Sequence, residues 1–581
     1  MSAGIYAFPR ENANRKSADE KESLDNKVCS QIDELQRIAE EERDRKLGAQ
    51  WFTEIDNFYN LMEMAGVASL SFRPRVVIPE LQTLMLAEAT DISESTPKVF
   101  ILNQNKREKE REKAYKAHWR QQQYNLEIFF AELGALFCGT WFLEVGLDPD
   151  ARRGKGEVWV CARAADTTWP DPGPLKSEGW IYVIKQDKMY LDEICRMWPE
   201  TGARLRHKAR GTARIKIGDD TSGMGGLQLP EGPMRYGSGA VPQQRILGDG
   251  RLVVRTTYVK DYTTIALDKD AKERARDVLG PLVPVPSQKL MFPNGRWIVD
   301  CERVVLADGN NWCPLRRVPI IPVQTMPRLK SFWVPPPTRY SKSLQQLAER
   351  MYTGVFENGV RLNNGTWFIH ENTGLEASDF GGLPGEIRII NSGSQVPEVR
   401  YGQPMPAHFT QLPELLLAKQ RQIHGFTPMR SGQPAAGNIA QDLFDASVFQ
   451  SQVLTRMRAK LLAPSIQELA ETVFYTMMRY YRQGQVFPGF GQDAEDGLKL
   501  NPWQPASDRW EDTYDVFLDP GSIKPLSASY LRALVTKLMD TGKLPLKYAL
   551  EVLDFPDADE VAEEQREQAE LAAMAKLKRP R

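Results

Sequence analysis

The fold turns on consecutive segments in the middle of the chain. SKSLQQLAERMYTGVFENGVRLN (341–363) precedes a Gly/Pro-rich insert (364–410). QLPELLLAKQRQIH (411–424) and GFTPMRSGQPAAGN (425–438) follow, and an apolar-periodic run from Ile439 to Arg482 closes the series. In the first segment Leu344, Leu347, Met351 and Val355 recur every three or four residues, which predicts an amphipathic helix of roughly 33 Å. Gln345, Gln346, Glu349 and Arg350 fall on its opposite face. The second segment repeats the pattern through Leu412, Leu415 and Leu416, with Lys419 and Arg421 as its cations. The loop 425–438 joins two helices and carries one charge, Arg430. Its small residues suit a loop projecting into a cavity and an ordinary surface loop equally. The last run, from Leu443 to Tyr481, predicts a helix of roughly 66 Å kinked at Pro464, where one backbone bond is lost.

The insert is about 40 residues long, too short to bury a good core alone. Trp367–Ile369 and Glu386–Ile390 read as its strands, with turns at Gly381-Gly382 and Asn391–Gly393. Such a unit is expected to be steadied by copies of itself in an oligomer.

The remainder is built around this device. A chain of 581 residues needs several cores, and 41% hydrophobic with 26% charged residues is ordinary globular composition. A net charge of −1 gives no global basic signature, which argues against tight, sequence-reading nucleic-acid binding. Six scattered cysteines without a CxxC pair and five dispersed histidines argue against a structural zinc site and fit buried thiols in a reducing compartment. No apolar run reaches about 18 residues, and residues 1–27 are a polar arm without a signal-peptide core, so synthesis in the cytosol is expected.

Helical spacing runs from Val28 to Met64 and again over Glu80–Ala89, followed by a strand at Pro97–Leu102. Residues 106–124 hold seven Lys/Arg against three Glu, a solvated helix face or a phosphate-touching one. Asn125–Cys138 reads as an apolar helix, and Thr140–Val145, Gly156–Ala162 and Trp180–Lys185 as strands, with a rigid Pro-rich turn at Trp169–Pro174. Residues 211–250 read as a mobile surface loop, without the strand–Gly–helix setting of a phosphate cradle. Strands return at Leu252–Leu267 and Arg296–Leu306, with a hairpin-type turn signal at Asp308-Gly309. Pro314–Pro337 contains seven prolines and reads as a stiff, extended strap. Near the end come a strand at Thr513–Leu518, a turn at Asp519–Ser522 and helices at Ser527–Met539, Pro545–Leu553 and Ala558–Leu577.

No GxSxG, HExxH, Walker A or paired-Asp metal motif occurs, and no histidine has an acid or cysteine at ligand spacing. A non-enzyme without metal or cofactor is the expectation.

Several stretches in order resemble the portal proteins of tailed bacteriophages. They are Leu84–Val99; Ala135-Leu-Phe-Cys-Gly-Thr-Trp-Phe-Leu-Glu-Val145; Phe292–Val299 with Val305–Asn310; and the helix–insert–helix–loop–long-helix order itself. The resemblance covers most of Phe52–Gln483; residues 211–250 and the C-terminal tail depart from it. It implies an α+β chain with a strand-rich wing (28–340), stem helices (341–363 and 411–424) and a small α/β clip (364–410). A tunnel loop (425–438), a long kinked spine (439–482), a return to the wing (483–526) and a helical crown (527–581) complete it. It also implies a ring of about twelve subunits at one capsid vertex, in the virion, around a channel for double-stranded DNA. The terminase, a major capsid or scaffold protein, and head-completion or tail adaptor proteins would be its partners. Candidate DNA-channel contacts are Lys419, Arg421, Arg430 and Gln433. Near-neutral charge fits a conduit through which DNA slides. The alternatives are another ring-forming virion adaptor, or a nucleic-acid enzyme such as a nuclease or packaging ATPase.

Overall fold

Period-two burial in the middle of the chain resolves, in the computed structural model, into antiparallel sheets clasped by helices. The structure describes residues 18–59, 76–93, 97–103, 106–107, 109–149, 151, 156–212, 251–266, 288–326, 330–363, 366–368, 398–400, 404–426, 453–481, 486–489, 499–502, 514–518, 535, 539 and 549. The chain begins with α1 (Ala18–Leu47), α2 (Trp51–Tyr59), α3 (Glu80–Ser93), β1 (Val99–Asn103), β2 (Lys106–Arg107), α4 (Lys109–Gln121) and α5 (Tyr124–Cys138). Then come β3 (Thr140–Asp148), β4 (Glu157–Arg163), β5 (Thr168–Pro170), β6 (Tyr182–Tyr190), α6 (Leu191–Met197) and α7 (Pro199–Thr212). Next are β7 (Arg251–Val259), β8 (Thr264–Ala266), β9 (Gln288–Leu290), β10 (Arg296–Cys301), β11 (Val304–Asn310) and β12 (Ile320–Gln324). The last group is α8 (Thr338–Asn363), β13 (Thr366–Phe368), β14 (Glu398–Arg400), α9 (Ala407–Ile423), α10 (Val453–Tyr480), β15 (Val486–Gly489), β16 (Lys499–Pro502) and β17 (Tyr514–Leu518). The chain thus mixes helices with sheets, as an α+β composition requires. Among the described residues no helix is long and apolar enough to cross a membrane.

A five-stranded sheet runs β11-β10-β7-β6-β5. Tyr182, Ile184, Val259 and Ile298 on one face receive Val28, Ile32, Leu35 and Ala39 of α1. The other face packs against α6 and α7 through Val254, Val299 and Cys301 at one end, and meets an aromatic core of Trp180, Phe332 and Trp333 at the other. A smaller sheet, β12-β3-β4, lies beside α10, whose Leu462, Ile466, Leu469, Val473, Phe474 and Met477 are buried. β17 pairs with β1, so the last described strand joins the first.

The two sheets are tied by a buried charge tetrad. Glu144 on β3 accepts Arg163 Nε of β4 at 2.5 Å and pairs with Lys185 of β6, and Asp187 closes the set at 3.1 Å from Lys185. Burial opposes the charge on Lys185, but Glu144 and Asp187 outweigh it and raise its pKa.

Several sequence expectations are corrected. Helix begins at Ala18, so residues 18–27 belong to α1 and not to an arm. The spacing from Val28 onward splits at Gly48, whose φ of +96° stops α1 before α2 starts. Asp308 and Gly309 lie inside β11, paired with Ile298 and Trp297. The reversal instead uses Glu302 and Arg303, with φ of 49° and 60°, between the paired Cys301 and Val304. These angles fit a tight primed turn, reached without the Asn or Gly that normally advertises it. Thr168–Pro170 is an edge strand rather than pure turn, and β12 is likewise an edge strand that tolerates Pro322. The strap after β12 is core, with Phe332, Trp333 and Val334 buried. Its Val334 carbonyl sits 1.9 Å from where a Cβ on Gly139 would stand, which is why the end of α5 needs glycine at φ +88°. α6 and α7 were not foreseen, nor was the β15–β16 hairpin. In the insert the strand opposite Trp367 is Glu398–Arg400. The expected strand at Glu386–Ile390 lies outside the described residues. So do loop 213–250, residues 427–452 and, apart from three helical positions, the C-terminal helices. α9 starts at Ala407, four residues before the expected Gln411, and runs through Pro413.

Removing Glu144 leaves Lys185 and Arg163 to share Asp187, itself a third exposed, as their one remaining carboxylate in the tetrad. Glu144→Ala is expected to cost about 3–5 kcal/mol, read as a lowered urea midpoint of the sheet region by near-ultraviolet circular dichroism.

Candidate functional site

The helix pair α8/α9 has inverted polarity at its root. Gln345, Glu349 and Thr353 stand four residues apart on one stripe of α8, and that stripe faces inward: Gln345 is 1% exposed and Glu349 5%. The segment that leads into α3 supplies their partners. The Gln345 amide donates to the Ile78 carbonyl at 2.6 Å, and its oxygen accepts the Leu81 N–H at 2.9 Å. Glu349 accepts the Ile78 N–H at 3.2 Å, and Thr353 Oγ1 accepts the Val76 N–H at 3.2 Å. Leu81 is in the first turn of α3, where backbone donors lack intrahelical acceptors, so Gln345 caps α3 from another helix. The polar face of the amphipathic helix is therefore turned inward at Gln345 and Glu349.

The apolar stripe is turned partly out, with Leu344, Met351 and Val355 half-buried. Tyr340 is 71% exposed and Leu347 47%, and on α9 Leu412, Leu415 and Ile423 are exposed as well. Inward, α9 presents Leu417, Gln420 and His424. The His424 imidazole, fully buried, meets the Ser341 hydroxyl at 2.6 Å and so staples the end of α9 to the start of α8. Burial, with the nearby Arg458 charge, lowers the His424 pKa to about 4, keeping the ring neutral.

Below this staple lies a cluster of buried charge from three helices. Arg458 of α10 is ion-paired with Glu88 of α3, and Glu132 of α5 is 1% exposed beside them. Burial and the neighbouring Glu88 push the Glu132 carboxyl well above its usual pKa, with Arg458 opposing, so it holds its proton. Among the described residues no group of three or more His, Cys, Asp or Glu side chains is arranged to hold a metal ion.

Two of the four sequence candidates, Lys419 and Arg421, are among the described residues. Lys419 is exposed and donates to Gln422 at 3.1 Å. Arg421, two residues on, lies roughly 160° around the helix from it and is ion-paired with Glu80 of α3. Its charge is thereby matched within the chain while its side chain stays half exposed. Arg430 and Gln433 lie outside the described residues.

The hydrogen-bonding residues Gln345, Glu349 and Ser341 were missed as a functional set. The available signal was a polar i, i+4, i+8 row opposite a Val-Val-Ile-Pro segment whose backbone has no strand partner. No protein-family model matches the chain, and no curated protein matches it.

Replacing Gln345 by Leu leaves the Leu81 N–H and Ile78 carbonyl buried without partners. Q345L is expected to cost about 1–3 kcal/mol and to speed amide exchange at residues 76–84, while exchange in β7 stays unchanged.

Proposed function

We propose that the chain is the subunit of a phage-type portal, a ring of about twelve copies at one capsid vertex through which double-stranded DNA is packaged and ejected. The observation that carries this reading is the outward apolar face of α8 and α9. A helix pair that hydrogen-bonds its polar row into its own chain and leaves Tyr340, Leu347, Leu415 and Ile423 exposed has the surface of a protomer rather than of a monomer. A ring of identical copies covers such a face on every subunit at once.

Three further features support it. α8 and α9 flank an insert whose described part is a two-stranded ribbon, β13–β14, in the position of a clip. α10 follows as a buried spine, and β17 returns to β1 as the return to a strand-rich wing requires. A net charge of −1 suits a channel that does not hold DNA by many phosphate contacts. On this reading the terminase and later head-completion or tail proteins dock on the clip, capsid or scaffold protein meets the wing, and the protein resides in the virion. Of the candidate DNA contacts, Lys419 and Arg421 are both exposed, and Arg421 also braces α9 on α3 through Glu80.

Negative-stain images of the purified protein are expected to show rings with a central hole. Leu347→Glu combined with Leu415→Glu is expected to give monomers with an unchanged far-ultraviolet spectrum. Rings that persist in the double variant would remove the α8/α9 face from the interface. Clear ATPase or nuclease turnover by the purified chain would instead favour a nucleic-acid enzyme.

A further inference from the structure

Ser341, Glu88, Glu132, His424 and Arg458 come from five different places in the chain, α8, α3, α5, the end of α9 and α10, and they meet where those helices converge. All five are buried, and the polar atoms among them are incompletely matched: Glu132 Oε2 and His424 Nδ1 have no hydrogen-bond partner, nor has the nearby Thr455 hydroxyl of α10. Buried polar atoms are almost always satisfied, so unmatched ones concentrated at a helix junction mark stored strain or a second arrangement. We propose that this junction is a proton-balanced latch between the α8/α9 pair and the α3–α5–α10 core: opening it to water releases one proton from Glu132 and takes one up on His424.

The charges that face these two groups are few. Glu132 meets Glu88 from α3 and Arg458 from α10; His424 meets Arg458 and the uncharged Ser341 of α8. Charged groups on the other packed elements are engaged elsewhere. Glu144 and Arg163 bind Lys185 and Asp187, and Glu112 binds Lys116. Lys342 of α8 faces Glu54 of α2, Glu349 holds Ile78, and Arg421 holds Glu80. One arginine therefore balances one carboxylate, and the second carboxyl is tolerated only with its proton.

The pH dependence follows from the two directions. Glu132 keeps its proton in the closed junction and loses it in water above its ordinary pKa of 4.5, so opening is favoured as pH rises from there. His424 stays neutral in the closed junction down to about pH 4 but charges in water below 6.5, so opening is favoured as pH falls below 6.5. From about pH 4.5 to 6.5 one proton leaves as another arrives, and the latch does not respond to pH. Above 6.5 only Glu132 exchanges a proton, and opening grows about tenfold per pH unit until the raised pKa of Glu132 is reached.

Hydrogen exchange on the full chain, corrected for intrinsic exchange rates, reads this directly. Protection in residues 80–93, 124–138 and 453–480 is expected to be flat from pH 5 to 6.5 and to fall about tenfold per unit above that, until Glu132 ionises within the closed junction. Residues 251–259 serve as the control and should not follow. Glu132→Gln should abolish the fall above 6.5 and uncover a loss of protection below it. His424→Asn should give a continuous fall from pH 5 upward through pH 6.5, with no flat stretch. Wild-type protection independent of pH, a control that moves in parallel, or an unchanged profile in Glu132→Gln would each overturn the latch. The wild-type profile decides even if a variant does not fold.

Discussion

The hydrogen bonds that Gln345 and Glu349 send to the backbone at Ile78 and Leu81 set the orientation of the α8/α9 pair, and much else follows from it. An extended segment entering α3 has donors and acceptors that no strand covers. Removing such groups from water without partners costs more than burying two polar side chains that pair with them. Once that row is turned inward, the apolar row of the same helix must face out, because the two lie on opposite sides of one cylinder. The exposed Tyr340 and Leu347 are thus a consequence of how α3 is capped, and in the proposed ring a neighbouring copy would cover them.

The same geometry places the end of α9 against α10. His424 reaches Ser341 at 2.6 Å, and Arg458 pairs with Glu88 immediately beyond. The helix pair is consequently joined to the sheets through few but buried polar contacts. A break in any of them leaves an unpaired group in a low-dielectric site, where such groups are expensive. Movement of the pair against the core is therefore expected to be discrete rather than gradual.

Elements with a clean period were legible in the sequence. The alternation in β3 and β4 and the spacing in α3, α5 and α8 marked strands and helices to within a few residues, because burial of one face dictates those periods, whereas the strands read at 252–267 and 296–306 ran past the ends of β7 and β10. What was not legible depends on partners distant in sequence. The inward face of α8 follows from residues 76–81, some 270 positions away, and amphipathicity alone assigns it to solvent. The Glu302-Arg303 turn defeated turn chemistry because flanking strand pairing over-determines it, while Asp308-Gly309 was drawn into β11 by that register. Of the site, Lys419 and Arg421 were correctly seen as basic residues of the second helix, but the ion pair to Glu80 was invisible. Glu88, Glu132, His424 and Arg458 share no local spacing that would have linked them.

The outward apolar face makes self-association the central physical expectation, and particle mass tests it most directly. Mass photometry of the purified 65.9 kDa chain is expected to give one dominant species near twelve chain masses. A population that stays at a single chain mass across the working concentration range would contradict the ring.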